Sequence, residues 1–440
     1  MTQPPAAAAN RRGTVAFVTA NTFEFDSRHR RATAALAADG WAVVVVAMRA
    51  AHLPVDEVLE NGVVVRRPPV ERRILAALPR LLRRPVGALL GLDADAERLP
   101  PRGAGLPGRV RAAGRRGLEI LAYRRRIAGW TAALAAAAPE ARLFVAKSLV
   151  GLPVAAGAAH ATGGRHVYDI ADLHVESGRL AGLPRLLKRY LARREGRWLR
   201  GAAALIAVTP AMAAAVAARH GVERPVVVMN TQERWRPDEP RPRSSQLRDA
   251  AGLGPEREIV LYQGAFRPDQ GIELLLEALV HPILAARPLT AVFLGFGVLE
   301  DRLRREAELQ TGRLAVLPAV ASEELLEWTA GADVSFVGTP PVTANQKLTT
   351  PNKLFESVMA GVPVVVAAGT WTARLVHAER LGTVVDPWTV EGLALALGAL
   401  LGQPAGAREQ HRRAIRRTAL ERFNWDVDRE RLVELFRRLE

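Results

Sequence analysis

The sequence predicts two open, doubly wound α/β domains facing a central cleft, and three observations carry that prediction. Short apolar runs alternate with amphipathic stretches from Val15 to Met229, and the alternation starts afresh at Ile259. The polar, Pro-rich stretch from Gln232 to Arg248 interrupts it once, as a linker between two domains does. Finally, Pro351–Ala360, Gly361 and Pro363–Ala367 read as a helix, its stop and a buried strand.

The elements follow in order. Val15–Thr19 is a buried strand, Ser27–Ala38 an amphipathic helix stopped by Gly40, and Trp41–Ala47 a second strand. Its nearly unbroken apolar run suits a parallel sheet covered on both faces. Val63–Arg66 is a third strand, followed by an Arg-rich insert over about 71–130 that contains the loop Pro100–Gly105. Short strands are expected at Leu143–Ala146, His166–Asp169, Ala204–Val208 and Val226–Met229, with a basic helix over Pro184–Arg200. In the second set the strands are Ile259–Gln263, Thr290–Leu294, Leu314–Leu317, Val334–Val337, Val362–Ala367 and Thr383–Val385. Helices are expected at Ile272–Leu279, Leu299–Leu309, Ser322–Ala330, Pro351–Ala360, Val390–Leu401 and from Arg408 onward. The domain boundaries are therefore a disordered tail at 1–12, a first domain at 13–231, a linker at 232–256, a second domain at 257–415 and a C-terminal helix at 416–440.

At 440 residues the chain has room for two cores. Hydrophobic content is 49 % and mean hydropathy is +0.03, as in a soluble globular protein. With no cysteine, disulfides, thiolate nucleophiles and cysteine-bound zinc are excluded, and a reducing cytoplasm is compatible. Met1–Asn10 lacks the charged and apolar segments of a signal peptide. Gly201–Ala218 carries no charge, but Thr209-Pro210 divides it, so it reads as strand, turn and helix rather than a membrane span.

Net charge is +16, and between Arg72 and Arg126 there are 14 Arg against four acids. That density suits a solvated face or an anionic membrane surface, where Leu and Arg mix as they do over Arg72–Arg84. Nucleic acid is not expected as a partner, because the stretch has neither interleaved aromatics nor a nucleic-acid module.

The segment Thr350–Val365 holds the chemistry. Pro351 suits a first helical position and Gly361 the position past a helix end. Free N–H groups at such a start, with Lys353 beside them, suit a phosphate. Glu356 lies further along the same end, where a carboxylate can accept hydrogen bonds from two neighbouring hydroxyls, as on a ribose. The same residues also serve as plain scaffold. Gly295 and Gly297 permit close backbone approach to a ligand, or simply a tight turn. Asp26 and Arg28 follow the first strand and suit either an acceptor side or helix capping. Asp172 and His174 lie just past a strand and are the candidate catalytic residues, although His174 suits a surface position better.

The spelling Pro351-Asn352-Lys353-Leu354-Phe355-Glu356, continued by Met359-Ala360-Gly361 and Pro363-Val364-Val365, resembles the nucleotide-sugar motif of glycosyltransferase family 4. Its Lys-Leu-Phe-Glu form is similar to the bacterial branch linked to polysaccharide and glycolipid assembly. The resemblance extends to Asp26–Gly40, Val167–Asp172, Leu261–Gly264, Leu294–Gly297 and the tail Phe423–Asp426. It implies a GT-B fold, with an acceptor-binding first domain, a donor-binding second domain and a C-terminal helix crossing back. It implies a retaining transfer from a nucleotide-diphosphate sugar to a glycan or lipid-linked acceptor, in the cytoplasm or peripherally on the inner face of the plasma membrane. By the same resemblance Gly264, Arg267, Gly295, Gly297, Pro351, Asn352, Lys353, Leu354 and Glu356 bind the donor. Glu356 takes the ribose hydroxyls, and Lys353 with the backbone of Pro351–Lys353 takes the diphosphate. No cofactor or metal is expected: Asp93-Ala94-Asp95 has the letters of a metal motif but lies in the Arg-rich insert.

Several positions depart from the family pattern. Leu348 stands where a Glu-x7-Glu pair has its first carboxylate, Ala265 and Gln270 where Arg and Lys often reach the phosphates, and Ala171 where a His is common. Arg267 lies between the second pair and offers a guanidinium that can grip phosphate. These departures keep open an inactive homologue that acts as a sugar-binding or scaffold subunit, and the net charge keeps open a polyanion-binding protein.

Overall fold

The computed structural model describes residues 12–70, 106–177, 182–183, 185–240 and 244–440, with 106–120 described as backbone alone. Most of the Arg-rich segment 72–126, its Pro100–Gly105 loop and the tail 1–11 lie outside these residues.

The first set of elements is β1 (Thr14–Val18), α1 (Ser27–Ala38), β2 (Ala42–Val46), β3 (Asp56–Val58), β4 (Val64–Arg66), α2 (Leu106–Ala137) and β5 (Ala141–Ala146). It continues with α3 (Gly151–Thr162), β6 (Arg165–Ile170), α4 (Arg185–Arg200), β7 (Ala204–Ala207), α5 (Pro210–His220) and β8 (Val226–Val227). The strands form one sheet in the order β3-β4-β2-β1-β5-β6-β7-β8. β1 pairs in parallel with both β2 and β5, so the strand order reverses there. β3 is antiparallel to β4. The sequence reading missed it because Asp56, Glu57 and Val58 form no apolar run and the strand is largely exposed.

The second set is α6 (Gln246–Ala250), β9 (Glu258–Ala265), α7 (Ile272–Leu279), α8 (Pro282–Ala285), β10 (Leu289–Phe296), α9 (Glu300–Leu309), β11 (Leu314–Leu317) and α10 (Leu325–Ala330). Then come β12 (Val334–Val337), α11 (Ala344–Leu348), α12 (Asn352–Met359), β13 (Val364–Ala367), α13 (Trp371–Ala378), β14 (Gly382–Val385), α14 (Val390–Leu401), α15 (Ala405–Arg422) and α16 (Trp425–Arg438). These strands make a parallel sheet ordered β11-β10-β9-β12-β13-β14, whose order reverses between β9 and β12. Its core holds Tyr262, Phe266, Phe293 and Phe336, all fully buried.

Contacts divide the chain into two compact units. The first takes the described residues up to Asp169, with Arg193–Leu205 and Phe436–Glu440; the second takes Ile170–Ala192 and Ile206–Leu435. This partition departs from the boundaries at 231 and 256. Leu247, inside the expected linker, sits on α6 and is fully buried with Ile259, Leu261 and Ala360, so part of the polar stretch is core. Within the first unit, the Phe436 ring meets Trp41 edge-on at 6.3 Å, and Arg437 is ion-paired with Asp39. The helix expected from Arg408 onward is two helices. Asn424 breaks it, and its side-chain oxygen accepts from the Asp426 and Val427 N–H groups to start α16.

Among the described residues, no single helix is long and apolar enough to cross a membrane. Where Thr209-Pro210 divides the uncharged run, Thr209 caps α5 by accepting from the Met212 N–H at 3.0 Å, and the Thr209 hydroxyl donates to the Leu348 carbonyl. Thr209→Ala should cost about 1–2 kcal/mol through the lost cap. A urea midpoint lowered without a change in slope would show it, and an unchanged midpoint would remove the cap from the account.

Candidate donor site

Parallel α/β sheets offer ligands the carboxyl ends of their strands, at the point where the strand order reverses. In the second unit that point lies between β9 and β12, and α12 is anchored to both strands. The Gln263 side chain at the end of β9 donates to a Glu356 carboxylate oxygen at 2.5 Å, and its own oxygen accepts from Thr329 at 2.8 Å. The Ser357 hydroxyl lies 2.7 Å from that of Ser335 on β12. Leu354, Phe355, Val358 and Met359 fill a buried cluster on the inner side of the helix. Glu356 therefore stays at a fixed position, half-buried, near the motif helix's start.

α12 begins one residue later than the sequence suggests. Pro351 is extended, with φ −74° and ψ 145°, and occupies the N-cap rather than the first helical position. Proline has no side-chain acceptor, and no side chain caps this helix. Of its first turn, the Asn352 and Lys353 N–H groups are left to water or a ligand. Thr350, immediately before, is buried with its hydroxyl unpartnered. Only its position next to the motif could have marked it. Asn352 is exposed and its side-chain oxygen accepts from Asn230 at 2.6 Å. Leu354, named among the donor-binding residues, is fully buried, so its side chain serves the core; its N–H donates to the Pro351 carbonyl.

Lys353 is 8 % exposed. Its ammonium lies 4.0 Å from the centre of the Tyr262 ring and 3.4 Å from the Gln270 side-chain oxygen. Burial pulls its pKa down to about 8, against the opposing pull of Glu356. Lys353 thus meets an aromatic face and one neutral acceptor. Arg267 is exposed and pairs with Asp269 at 3.1 Å, so its charge is shared with an acid. Gln270 supplies the acceptor oxygen for Lys353 and Ala265 is exposed, so neither position brings a second cation beside Lys353.

Gly264 and Gly295 are paired neighbours on β9 and β10. A Cβ on Gly295 would lie 2.1 Å from the Gly264 carbonyl oxygen, so glycine is required there by strand approach, before any ligand is considered. Gly297 is held in the same way, since a Cβ would lie 2.6 Å from the Phe266 carbonyl oxygen.

Asp172 and His174 belong to the second unit, His174 within a single 3-10 turn (His174–Glu176). Asn345 on α11 is buried and binds this loop twice. Its amide donates to Asp172 at 2.9 Å, and its oxygen accepts from the Leu173 N–H at 2.7 Å. The sequence reading missed Asn345, Gln263 and Thr329, because their partners lie 66 to 173 residues away and leave no local signal. Leu348 ends the same helix α11, where its carbonyl serves Thr209.

Asp26 and Arg28 lie in the first unit, next to the point where β1 meets β5. Arg28 makes two 2.6 Å bonds to the buried Asp169. Asp26 caps α1 and accepts from Lys147 at 2.7 Å and Asn21 at 2.9 Å. Burial raises its pKa, but His29, Lys147 and Asn21 outweigh that and hold the carboxyl well below the usual range. Both residues are thus committed to a buried charge network, and it is Lys147, with 30 % of its side chain exposed, that reaches solvent.

The two parallel-sheet α/β units and full-length likeness to solved structures define the fold as GT-B. Residues 257–403, which include the motif, match the family model described as glycosyl transferases group 1. A GDP-mannose-dependent alpha-(1-6)-phosphatidylinositol monomannoside mannosyltransferase of Mycolicibacterium smegmatis is 31 % identical over 198 residues, which is 43 % of this chain and 50 % of that protein. The chain spans about half the length of the curated relatives it matches. Sucrose-phosphate synthase from Thermosynechococcus elongatus superimposes with a TM-score of 0.70 at 17 % identity, covering 97 % of this chain and 99 % of that one. Anabaena Alr3699/HepE, solved in complex with UDP-glucose, gives 0.65 at 16 % identity, covering 97 % and 100 %.

Proposed function

We propose that the protein is a retaining glycosyltransferase that moves a sugar from a nucleotide-diphosphate sugar to an acceptor hydroxyl. The observation that carries this reading is the start of α12, where Glu356, Lys353 and an uncapped helix turn meet at the strand-order reversal. Glu356 accepts the two ribose hydroxyls. Lys353 and the first N–H groups of α12 hold the diphosphate and stabilise it as it leaves. The acceptor hydroxyl attacks from the face the diphosphate departs, so the anomeric configuration is retained. Asp172 and His174 are the candidates for handling its proton, with Asn345 holding the Asp172 carboxylate in place.

The acceptor is a glycan or lipid-linked glycan of bacterial polysaccharide or glycoconjugate synthesis, met in the cytoplasm or at the inner face of the plasma membrane. The Mycolicibacterium smegmatis relative, a phosphatidylinositol monomannoside mannosyltransferase, supports this class. The motif residues supply positive charge without a metal, so a chelator should leave turnover unchanged; loss restored by magnesium or manganese would reverse that assignment.

Thermal shift against a panel of nucleoside diphosphates and nucleotide sugars tests the donor site, and anomeric analysis of the product tests retention. Leu348, in place of the family's carboxylate, favours a second reading, an inactive sugar-binding or scaffold subunit. Donor binding without transfer to any acceptor would favour that reading.

A further inference from the structure

Helix α4 is strongly basic, and the donor site does not use its charge. α4 (Arg185–Arg200) carries seven basic residues and one acid, Glu195, which is buried. Its inner side is formed by Glu195, Gly196 and Leu199. Lys188 also turns inward and pairs with Glu176 at 2.9 Å.

The outer side is not simply polar. Leu186 is 78 % exposed and Tyr190 53 %, with Leu187 also exposed. At about 3.6 residues per turn, Leu186 and Tyr190 stack on one face. Arg189, Arg193 and Arg197 surround them on the same exposed side. None of these three arginines forms an ion pair among the described residues. Ordinary surface helices place their large apolar residues inward. Here two are held outward within a ring of guanidinium groups.

We propose that this face of α4 docks on an anionic lipid surface. Leu186 and Tyr190 enter the boundary between headgroups and acyl chains, and Arg189, Arg193 and Arg197 meet the lipid phosphates. Charge complementarity selects the occupant, and the apolar residues select a bilayer over nucleic acid, because a leucine side chain offers nothing to a phosphate backbone. The surface is separate from the donor motif and independent of whether the protein transfers sugar.

The test is co-sedimentation of the full chain with vesicles of phosphatidylcholine alone and of phosphatidylcholine with phosphatidylglycerol in equal parts, without nucleotide. Binding is expected only to the second, falling at raised salt. Two variants, Leu186→Asn with Tyr190→Ser, and Arg189→Gln with Arg193→Gln and Arg197→Gln, should each weaken it roughly tenfold or more, a loss of about 1.4 kcal/mol. Circular dichroism and an unchanged melting temperature confirm that each variant is folded. Glu356→Ala should bind vesicles like the parent, so failure at the donor site and failure here are separable. No binding to the anionic vesicles overturns the proposal. So does binding that both folded variants retain, or a salt-sensitive preference for duplex or single-stranded nucleic acid over the vesicles.

Discussion

Glu356→Ala should abolish the thermal shift caused by nucleotide sugars and lower kcat/KM by roughly 100- to 10,000-fold. The reason is local. A carboxylate that accepts two hydroxyls makes two charge-assisted hydrogen bonds, each worth about 1.5–3 kcal/mol. Losing both removes that binding in the ground and transition states alike. The variant also leaves the Gln263 amide without its partner, a stability cost of about 1–3 kcal/mol. Gln263→Ala separates the two effects, because it removes the anchor and keeps the carboxylate; it should weaken the nucleotide shift only modestly. If Glu356→Ala melts lower than the parent yet keeps its full response to nucleotide, Glu356 is scaffold and the donor assignment fails.

Lys353 should make nucleotide affinity fall as pH rises through about 8. Burial against Tyr262 lowers its pKa from the ordinary 10.5 to about 8. Below that value the ammonium is present and attracts the diphosphate; above it the free protein holds a neutral amine, and binding must also take up a proton. The affinity of a nucleoside diphosphate should therefore decline from pH 7.5 to pH 9.5, whereas Lys353→Met should bind weakly with a flat profile over the same range. Stability should run the other way. Between about 8 and 10.5 the unfolded chain binds the proton that the folded chain has lost, so the ligand-free protein gains stability as pH rises through that window. Lys353→Met should abolish that gain. A parent profile that is also flat would place Lys353 away from the phosphate. The two residues are coupled, since Glu356 supports the lysine's charge; Glu356→Ala should move the pH edge lower.

The nature of the second sheet was legible in the chain because its strands are unbroken apolar runs. Leu314–Leu317 and Val334–Val337 were read to the residue, as were the helices Ile272–Leu279 and Val390–Leu401. The motif helix was legible from Gly361 and from the spacing of its buried residues, and its start was off by one because proline fits both the N-cap and the first turn. Among the elements not read were β3, α11 and α13. β3 is an exposed edge strand and the two helices are short, so neither period accumulates enough residues to stand out.

By itself, then, the sequence determined two α/β sheets and the helix–stop–strand unit at Pro351–Ala367, because hydrophobic period and helix punctuation are local properties of a chain. Only the tertiary structure decided what each side chain is free to do. It gave Leu354 to the core, Gly295 to strand packing and Arg28 to a buried ion pair, and it gave Asp172 a partner in Asn345, 173 residues away. It also turned the linker's Leu247 into core and left Leu186 and Tyr190 outward. Burial, partner and pKa are set by neighbours distant in sequence, and the folded arrangement is what brings those neighbours together.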